Sequence, residues 1–315
     1  MLGFLSGFAR QSKAGLVALR TEVDKLRYVH ADATDGGKPV VYSHGEAAWG
    51  GDAYSLARAY REFGLGKKIR CATILKAGDY QISAVEAPNV LETELSTAMR
   101  WRMKEVIDYP VEQATYDLLE IPAVEGAAGR SRWIYVIAAR TELVKTYVDR
   151  FDEAKVPLSV IDIPETAQRN VAALYERDGK GVGLLYFDDS GGLLTVTSGG
   201  ELYLARRFDF NMPQIRNDNE NYRNDLYSRI LVELQRTLDN FERQHGHIVL
   251  ARIMLGPEPE ATPLAAYLQS NLGMAVAGVA LDEVLDFRCA VPDPKAQWEY
   301  FHLIGCAIRS KDASQ

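Results

Sequence analysis

The first third of the chain alternates short apolar runs with polar connections, which predicts a series of strands. One stretch has helical spacing instead, because its apolar side chains recur every three or four residues after Asp52 and stop at Gly64. The expected strands are 15–19, 25–30, 40–42, 69–75 and 80–85. We interpret the first two as one hairpin and the last two as another, since a short polar turn joins each pair.

Helices and strands then alternate up to about residue 174. Asn89, with Glu92 three residues later, predicts the capped start of a helix whose apolar side carries Leu95, Met99 and Met103. Strands are expected at 116–121, 133–138 and 158–163, and helices beginning at Thr141 and Pro164.

The pattern changes at 179–181, where a Gly-Lys-Gly segment predicts a boundary between two domains. Three strands joined by glycine turns follow, and they predict a β-meander. We interpret the polar stretch 211–221 as a linker or mobile loop. The expected elements after the boundary are strands at 182–187, 193–197, 201–208 and 248–255 and helices at 222–241, 263–272 and 298–309.

Composition places the chain among globular proteins. Of its 315 residues, 47% are hydrophobic and 25% are charged, and this length favours two domains over a single core. Lysine and arginine number 36 against 43 acidic residues, so the net charge of −7 argues against nucleic acid as a partner.

The expected location is the cytoplasm. No apolar run approaches the ~18–20 residues of a membrane-spanning helix, and the three cysteines lack the spacing of a disulfide framework or a zinc site. The apolar segment 1–8 is interpreted as a strand or flap packed on the core, with a weak contact to a membrane or a partner as the alternative.

Candidate catalytic and metal chemistry is sparse. The motifs GxSxG, GxxxxGK(S/T) and HExxH are all missing. His245 and His247 lie near Glu242, but no further donor is spaced to complete a metal site, so we expect a polar helix end there. The segment 188–192 is expected to be an acidic hairpin turn. We predict no catalytic residue and no metal site.

Several segments carry a resemblance to a known family. The most specific is 94–101 (ELSTAMRW), followed by 107–112 (IDYPVE) and 116–119 (YDLL). Two more are 136–162, which begins VIAAR, and 234–241 (LQRTLDNF). With these segments the sequence resembles the PilM-type pilus biogenesis proteins, and most closely the MshI branch that serves the mannose-sensitive haemagglutinin (MSHA) pilus.

The resemblance implies an α/β fold of the actin-like class (FtsA/PilM-like, ribonuclease H-like) in two domains. Residues 1–178 would form the first domain, with an inserted α/β subdomain at about 76–157, and residues 179–315 the second, with a subdomain at about 210–247. The implied function is that of an adaptor on the cytoplasmic side of a type IV-like pilus assembly platform, peripheral to the inner membrane. Its partner would be the N-terminal cytoplasmic segment of a single-pass inner-membrane protein (PilN/MshJ-like), bound by a pair or ring of copies of the adaptor.

The same resemblance places this partner in a groove between the first domain and the inserted subdomain. The expected partner-binding residues, all in the most specific matching segment, are Arg100, Trp101, Ile107, Tyr109 and Pro110. An equally open alternative is a solvated helix face on which Trp101 is half-buried.

Actin-like ATPases bind the nucleotide at three glycine turns, two of which approach the phosphates and one the adenine, and this sequence departs from the pattern at each turn. Around Leu16 and Ala18 on the first strand, the expected aspartate and glycine are both missing. At the second turn Tyr186 stands in place of an acid and Asp188 in place of a glycine.

At the third turn Pro257 and Glu258 follow Gly256 where the family has a Gly-Gly turn. The proline has no backbone N–H to donate, and the glutamate adds a negative charge. We therefore expect a scaffold that hydrolyses nothing and carries no cofactor. The alternatives are an ATPase or sugar-kinase relative that uses Asp188 and Asp189 with ATP and magnesium, and a relative of the cytoplasmic domain of type II secretion.

Overall fold

The computed structural model describes residues 15–34, 37–66, 69–88, 90–122 and 132–309. The segment 1–8, for which a strand or flap is predicted, lies outside these residues. The strands in chain order are β1 (Leu16–Thr21), β2 (Lys25–Asp32), β3 (Val40–Ala48), β4 (Arg70–Ile74), β5 (Tyr80–Glu86), β6 (Ala114–Ile121), β7 (Trp133–Arg140), β8 (Leu158–Asp162), β9 (Gly181–Phe187), β10 (Gly192–Ser198), β11 (Glu201–Phe208), β12 (Leu250–Leu255), β13 (Ala275–Gly278) and β14 (Asp286–Phe287). The helices are α1 (Ala53–Glu62), α2 (Glu92–Met103), α3 (Thr141–Glu153), α4 (Pro164–Ala173), α5 (Met212–Ile215), α6 (Glu220–Gln244), α7 (Leu264–Asn271), α8 (Leu281–Val284) and α9 (Pro294–Ala307).

Six strands form the first sheet, in the order β14-β3-β2-β1-β4-β8. β1 and β2 pair antiparallel, so the first predicted hairpin is confirmed. The second predicted hairpin is wrong, because β4 pairs in parallel with β1 and β8 whereas β5 pairs with β7 in another sheet. Both hydrogen-bonding edges of β4 are taken by these neighbours, and no edge is left for β5 to join.

A five-stranded sheet in the order β11-β10-β9-β12-β13 contains the predicted meander. β9, β10 and β11 pair antiparallel, as predicted, while β12 runs parallel to β9. All seven residues of β9 are buried, because Leu184 and Tyr186 pack towards α4 and α9 while Leu185 and Phe187 pack towards α6.

The third sheet, β5-β7-β6, comes from the part of the chain predicted as an insertion. α2 covers one of its faces through Leu95, Met99 and Met103, and the other face meets β11 in a small apolar cluster. The N-cap of α2 is Leu91, whose side chain makes no capping hydrogen bond, rather than the predicted Asn89, which lies outside the described residues.

The first two sheets share one core. α4 and α9 pack together between them, in a cluster that joins residues of β1, β2 and β4 to residues of β9 and β12. β14 also returns to pair with β3. The chain after 179 therefore contributes to both sheets, and the domain limits at 178/179, 76–157 and 210–247 stay predictions.

The polar stretch 211–221 is helical at both ends, so its interpretation as a linker is wrong. Asn211 caps α5 by accepting from the Gln214 backbone N–H, and the Gln214 side chain accepts from the Asn211 N–H in return. Asn219 then caps α6. Polar residues at these positions satisfy the free N–H groups of helix starts, which is why the segment looks loop-like in sequence.

The last helix begins earlier than predicted. α9 starts at Pro294 with Asp293 as its N-cap, so it is four residues longer at that end than the expected 298–309. None of the described helices is both long and apolar enough to cross a bilayer.

Gly305 of α9 lies where that helix crosses α4. A Cβ at this position would stand 2.0 Å from the carbonyl oxygen of Ala167, and the Asn170 amide donates to the Gly305 carbonyl at 2.9 Å. Gly305 therefore permits a close contact between the backbones of two helices.

Replacing Gly305 by alanine should lower the free energy of unfolding by about 1–3 kcal/mol, because the added methyl group must push two packed backbones apart. Urea denaturation measures the loss. Gly278→Ala is the matched control, since nothing lies within 4 Å of a Cβ there. Equal stability of the two variants would contradict the crossing.

Candidate functional site

Of the three places predicted as degenerate nucleotide loops, the second and third follow β9 and β12, whereas Leu16 and Ala18 lie within β1. The start of α9 contacts the ends of β1 and β9. Arg20 at the end of β1 donates to the carbonyl of Glu299 at 2.8 Å, and Tyr186 near the end of β9 donates to the carbonyl of Trp298 at 2.8 Å. Tyr186 also abuts Gly256 beyond β12. The ends of β1 and β9 and the turn after β12 therefore adjoin one another around α9, and in open α/β sheets the crevice beyond such strand ends is the usual ligand position.

The ring of Tyr186 fills the centre of this site. It stacks on Phe301 with ring centroids 4.7 Å apart and planes inclined by 22°. On another side it touches the backbone of Gly256, where a Cβ would lie 2.7 Å from a ring carbon. Burial raises the pKa of Tyr186 well above its ordinary value, so the hydroxyl stays protonated and keeps its bond to Trp298.

Trp298 ties the start of α9 to the end of β9. Its indole N–H donates to the carbonyl of Phe187 at 2.8 Å, while its own carbonyl accepts from Tyr186. These two bonds run in opposite directions between the same two elements. They fix the helix against the strand end where the fold would otherwise leave a crevice.

Neither of the two residues predicted on the first strand offers a carboxylate to a ligand. Leu16 and Ala18 are buried within β1, opposite Ala31 and Val29 of β2. The charged group at the end of this strand is Arg20, which donates to the carboxylate of Glu22 at 3.0 Å. The strand therefore presents a cation that is already paired.

Asp188 closes the turn between β9 and β10, as predicted for this acidic segment. One of its carboxylate oxygens accepts from the Ser190 N–H at 2.8 Å, the Ser190 hydroxyl at 2.6 Å and the Gly191 N–H at 3.1 Å. Neighbouring Asp189 is exposed. The described residues contain no group of three histidine, cysteine or acidic side chains placed to hold a metal.

At the third turn, after β12, an acidic side chain is hydrogen-bonded within the turn itself. Pro257 is buried and supplies no N–H. The Glu258 carboxylate accepts from the Thr262 N–H at 2.9 Å and from the Thr262 hydroxyl at 2.8 Å. Burial raises the pKa of Glu258. A polyanionic ligand would meet a carboxylate at this turn.

The predicted partner-binding residues occupy two neighbouring places in the inserted part. Trp101 lies on the outer side of α2 with 69% of its surface exposed, so the half-buried alternative is wrong. The Lys104 ammonium stands 4.3 Å from the centre of its indole ring, and Arg100 is exposed beside it. This side of α2 is a cationic surface with an exposed aromatic ring.

The other predicted partner residues lie in the turn after α2. Ile107 packs against the cluster between α2 and the three-stranded sheet, and Pro110 is exposed. The ring of Tyr109 lies under the Arg140 guanidinium at 4.4 Å, and its hydroxyl is buried with no hydrogen-bond partner among the described residues. Burial raises the pKa of Tyr109. A buried hydroxyl of this kind is costly unless a ligand pairs with it.

Sequence reasoning missed a buried polar triad that joins three parts of the fold. Glu165 in the first turn of α4 is fully buried and accepts from the Tyr80 hydroxyl of β5. Arg207 of β11 donates to the same carboxylate at 2.9 Å and to the Tyr80 hydroxyl at 2.6 Å. The signal in the sequence is weak, because an acidic residue after the Pro164 helix start is ordinary.

His245 and His247 lie around Tyr203 with their ring centroids 6.1 Å apart. Burial is the largest influence on His245 and lowers its pKa. The predicted end of a helix is confirmed, since His245 is the C-cap of α6.

Comparison with known proteins identifies the fold. No protein-family model matches the sequence, and no curated protein matches it significantly. Among solved structures, the PilM-PilN type IV pilus biogenesis complex matches with a TM-score of 0.68 at 16% identity, covering 94% of this chain and 97% of that one. The cytoplasmic domain of EpsL, an inner-membrane component of the type II secretion system of Vibrio cholerae, matches with a TM-score of 0.46 at 12% identity, covering 92% and 95%. The predicted α/β fold of the actin-like class is therefore confirmed. Within that class, the chain has the fold of the PilM-type protein.

Proposed function

We propose that the chain is a non-catalytic cytoplasmic adaptor of a type IV-like pilus assembly platform, of the MshI branch. The observation that carries the proposal is the likeness in fold, over 94% of the chain, to a PilM protein in complex with PilN. The partner would be the N-terminal cytoplasmic segment of a single-pass inner-membrane protein of the PilN/MshJ type. Binding to it would hold a pair or ring of adaptors at the inner face of the inner membrane.

The non-catalytic part of the proposal is supported by what fills the candidate nucleotide site. Tyr186 and Trp298 occupy the strand ends, and the carboxylates of Asp188 and Glu258 bond to the backbone of their own turns. Phosphate binding in such folds uses backbone N–H groups at glycine turns and a carboxylate-held magnesium ion. The turns at Asp188 and Glu258 would have to break their own hydrogen bonds to supply either one.

The partner groove is proposed at the turn after α2, with Tyr109 at its centre. An extended peptide carries backbone carbonyls, and one of them could accept from the Tyr109 hydroxyl once the turn after α2 shifts to uncover it. The exposed indole of Trp101 and the cations around it would contact side chains of the same segment. Aromatic residues and arginine are the side chains that most often dominate such interfaces.

A labelled peptide from the N-terminus of the PilN/MshJ-type partner tests the proposal by fluorescence anisotropy. We expect it to bind the native chain. Tyr109→Phe should weaken binding about threefold to tenfold, because it removes one hydrogen bond. Trp101→Ala should weaken binding by about tenfold or more, because it removes the exposed aromatic side chain.

The matched control is Tyr54→Phe, since Tyr54 is an exposed tyrosine on α1 away from the groove. It should leave binding unchanged. Absence of binding to the native chain would contradict the adaptor role. Binding that survives both Trp101→Ala and Tyr109→Phe would contradict only the position of the groove.

A further inference from the structure

A second groove lies between the end of β11 and one side of α6, on the far side of β11 from α4. Its volume is about 620 Å³. Four arginines line it: Arg206 and Arg207 from β11, and Arg229 and Arg236 from α6. This concentration of positive charge stands out in a chain whose net charge is −7.

The cations of this groove outnumber its carboxylates. Asp209 and Glu233 are the acidic residues in its lining, and Arg207 is paired with Glu165 outside it, which leaves an excess of one positive charge. Glu233 already bridges two of the arginines, accepting from Arg206 at 2.8 Å and from Arg236 at 3.3 Å. Arg229 is exposed, and its guanidinium stands 5.3 Å from the centre of the Phe210 ring. The Glu233 carboxylate therefore already binds two of these arginines, and the exposed Arg229 guanidinium can bind a carboxylate from a partner.

The backbone of β11 also faces this groove. The Ala205 N–H points away from β10 and donates to the Tyr135 hydroxyl at 3.0 Å. The Phe208 carbonyl points the opposite way, towards Gly191, where a Cβ would lie 2.7 Å from it. Backbone groups alternate along a strand, so the Arg207 N–H and C=O point outwards with those of Ala205.

No strand of the described residues pairs with β11 on this outer edge. The inserted sheet bonds to β11 through the Tyr135 hydroxyl, at Tyr203 and Ala205, and through the Tyr80 hydroxyl, which accepts from the Arg207 side chain. The backbone of Arg207 lies beyond the Tyr135 contacts, where β11 lines the groove. Val232 of α6, with 43% of its surface exposed, adds an apolar contact to its lining.

We propose that this groove binds an extended, acidic segment of a partner protein, which adds to β11 as a further strand. Backbone pairing at Arg207 would hold the segment, and carboxylates on every second residue would face Arg206, Arg229 and Arg236. Strand addition uses both features, since main-chain bonds supply affinity and alternate side chains supply specificity. The site uses none of the residues proposed to bind the membrane partner.

Labelled peptides of about eight residues that alternate Glu with Thr test the charge of the occupant on the full chain. We expect binding in fluorescence anisotropy, and no binding of the peptide in which Lys replaces Glu. Arg229→Glu combined with Arg236→Glu should weaken binding by about tenfold or more, because two charge-assisted contacts become repulsive. Arg243→Glu, the same change at an exposed position of α6 outside the groove, should have no effect.

Backbone methylation tests the strand geometry. Methylating all Glu amides or all Thr amides blocks only one edge of the peptide, so one of these two peptides should bind and the other should not. If both bind, or neither does, strand addition is overturned. Failure of the Glu-Thr peptide to bind at millimolar concentration would overturn the site itself, as would equal binding to the arginine variant. In either of these last cases the arginines serve only to keep the β11 edge from pairing.

Discussion

Replacing Glu165 by alanine should lower the free energy of unfolding by about 3 kcal/mol, because it leaves Arg207 and Tyr80 without the carboxylate that binds both. The value lies at the lower end for a broken buried pair, since the Arg207 side chain is 37% exposed and can turn to water. Urea denaturation measures it. Glu62→Ala is the control, because it removes a carboxylate from an exposed pair with Arg58 and should cost no more than about 0.5 kcal/mol.

The position of the triad makes a second readout informative. Glu165 belongs to α4, Tyr80 to the inserted three-stranded sheet and Arg207 to the five-stranded sheet. Loss of the carboxylate should therefore raise hydrogen exchange in β5, β7 and β6 more than in β9 and β10. Uniform exchange changes across all sheets, or a loss no larger than that of Glu62→Ala, would show that the triad does not join these parts.

The elements that the sequence predicts correctly are those set by neighbouring residues. The β9–β10–β11 meander follows from glycine turns between apolar runs, and α1 follows from Asp52 and Gly64 at its ends. The hairpin predicted for 69–85 fails because pairing of β4 is decided by β1 and β8, which are distant in sequence. Polar caps at 211 and 219 resemble a loop until the helices that they begin are visible.

The candidate site is predictable only in part for the same reason. The sequence shows which residues stand at the three turns, because each turn follows its own strand. It does not show what fills the space between them. Trp298 and Phe301 come from a helix that is more than a hundred residues beyond Tyr186 in the chain. The contacts of Arg207 with Glu165 and Tyr80 span 42 and 127 residues of the chain and leave no local pattern.

Removing the Tyr186 ring should be the most damaging single change at the candidate nucleotide site. Tyr186→Ala leaves a cavity against Phe301 and frees the Trp298 carbonyl, so we expect a loss of about 3–5 kcal/mol in urea denaturation. Tyr186→Phe keeps the packing and loses only the hydroxyl bond, which should cost about 1 kcal/mol. Tyr222→Ala, at a tyrosine of α6 that is 40% exposed, is the control and should cost less than about 1 kcal/mol.

The same variants distinguish a nucleotide site that the Tyr186 ring blocks from one whose phosphate-binding groups have been lost. A ligand that binds only the folded chain raises its melting temperature, by an amount equivalent to about 2.7 kcal/mol at a hundredfold excess over Kd. We expect millimolar Mg-ATP to leave the melting temperature of the native chain unchanged. Tyr186→Ala should behave alike, because Asp188 and Glu258 remain bonded to their own turns. A rise in the native chain would contradict the non-catalytic adaptor. A rise confined to Tyr186→Ala would mean that the aromatic ring alone keeps nucleotide out, and that the three turns retain more of the phosphate site than their side chains indicate.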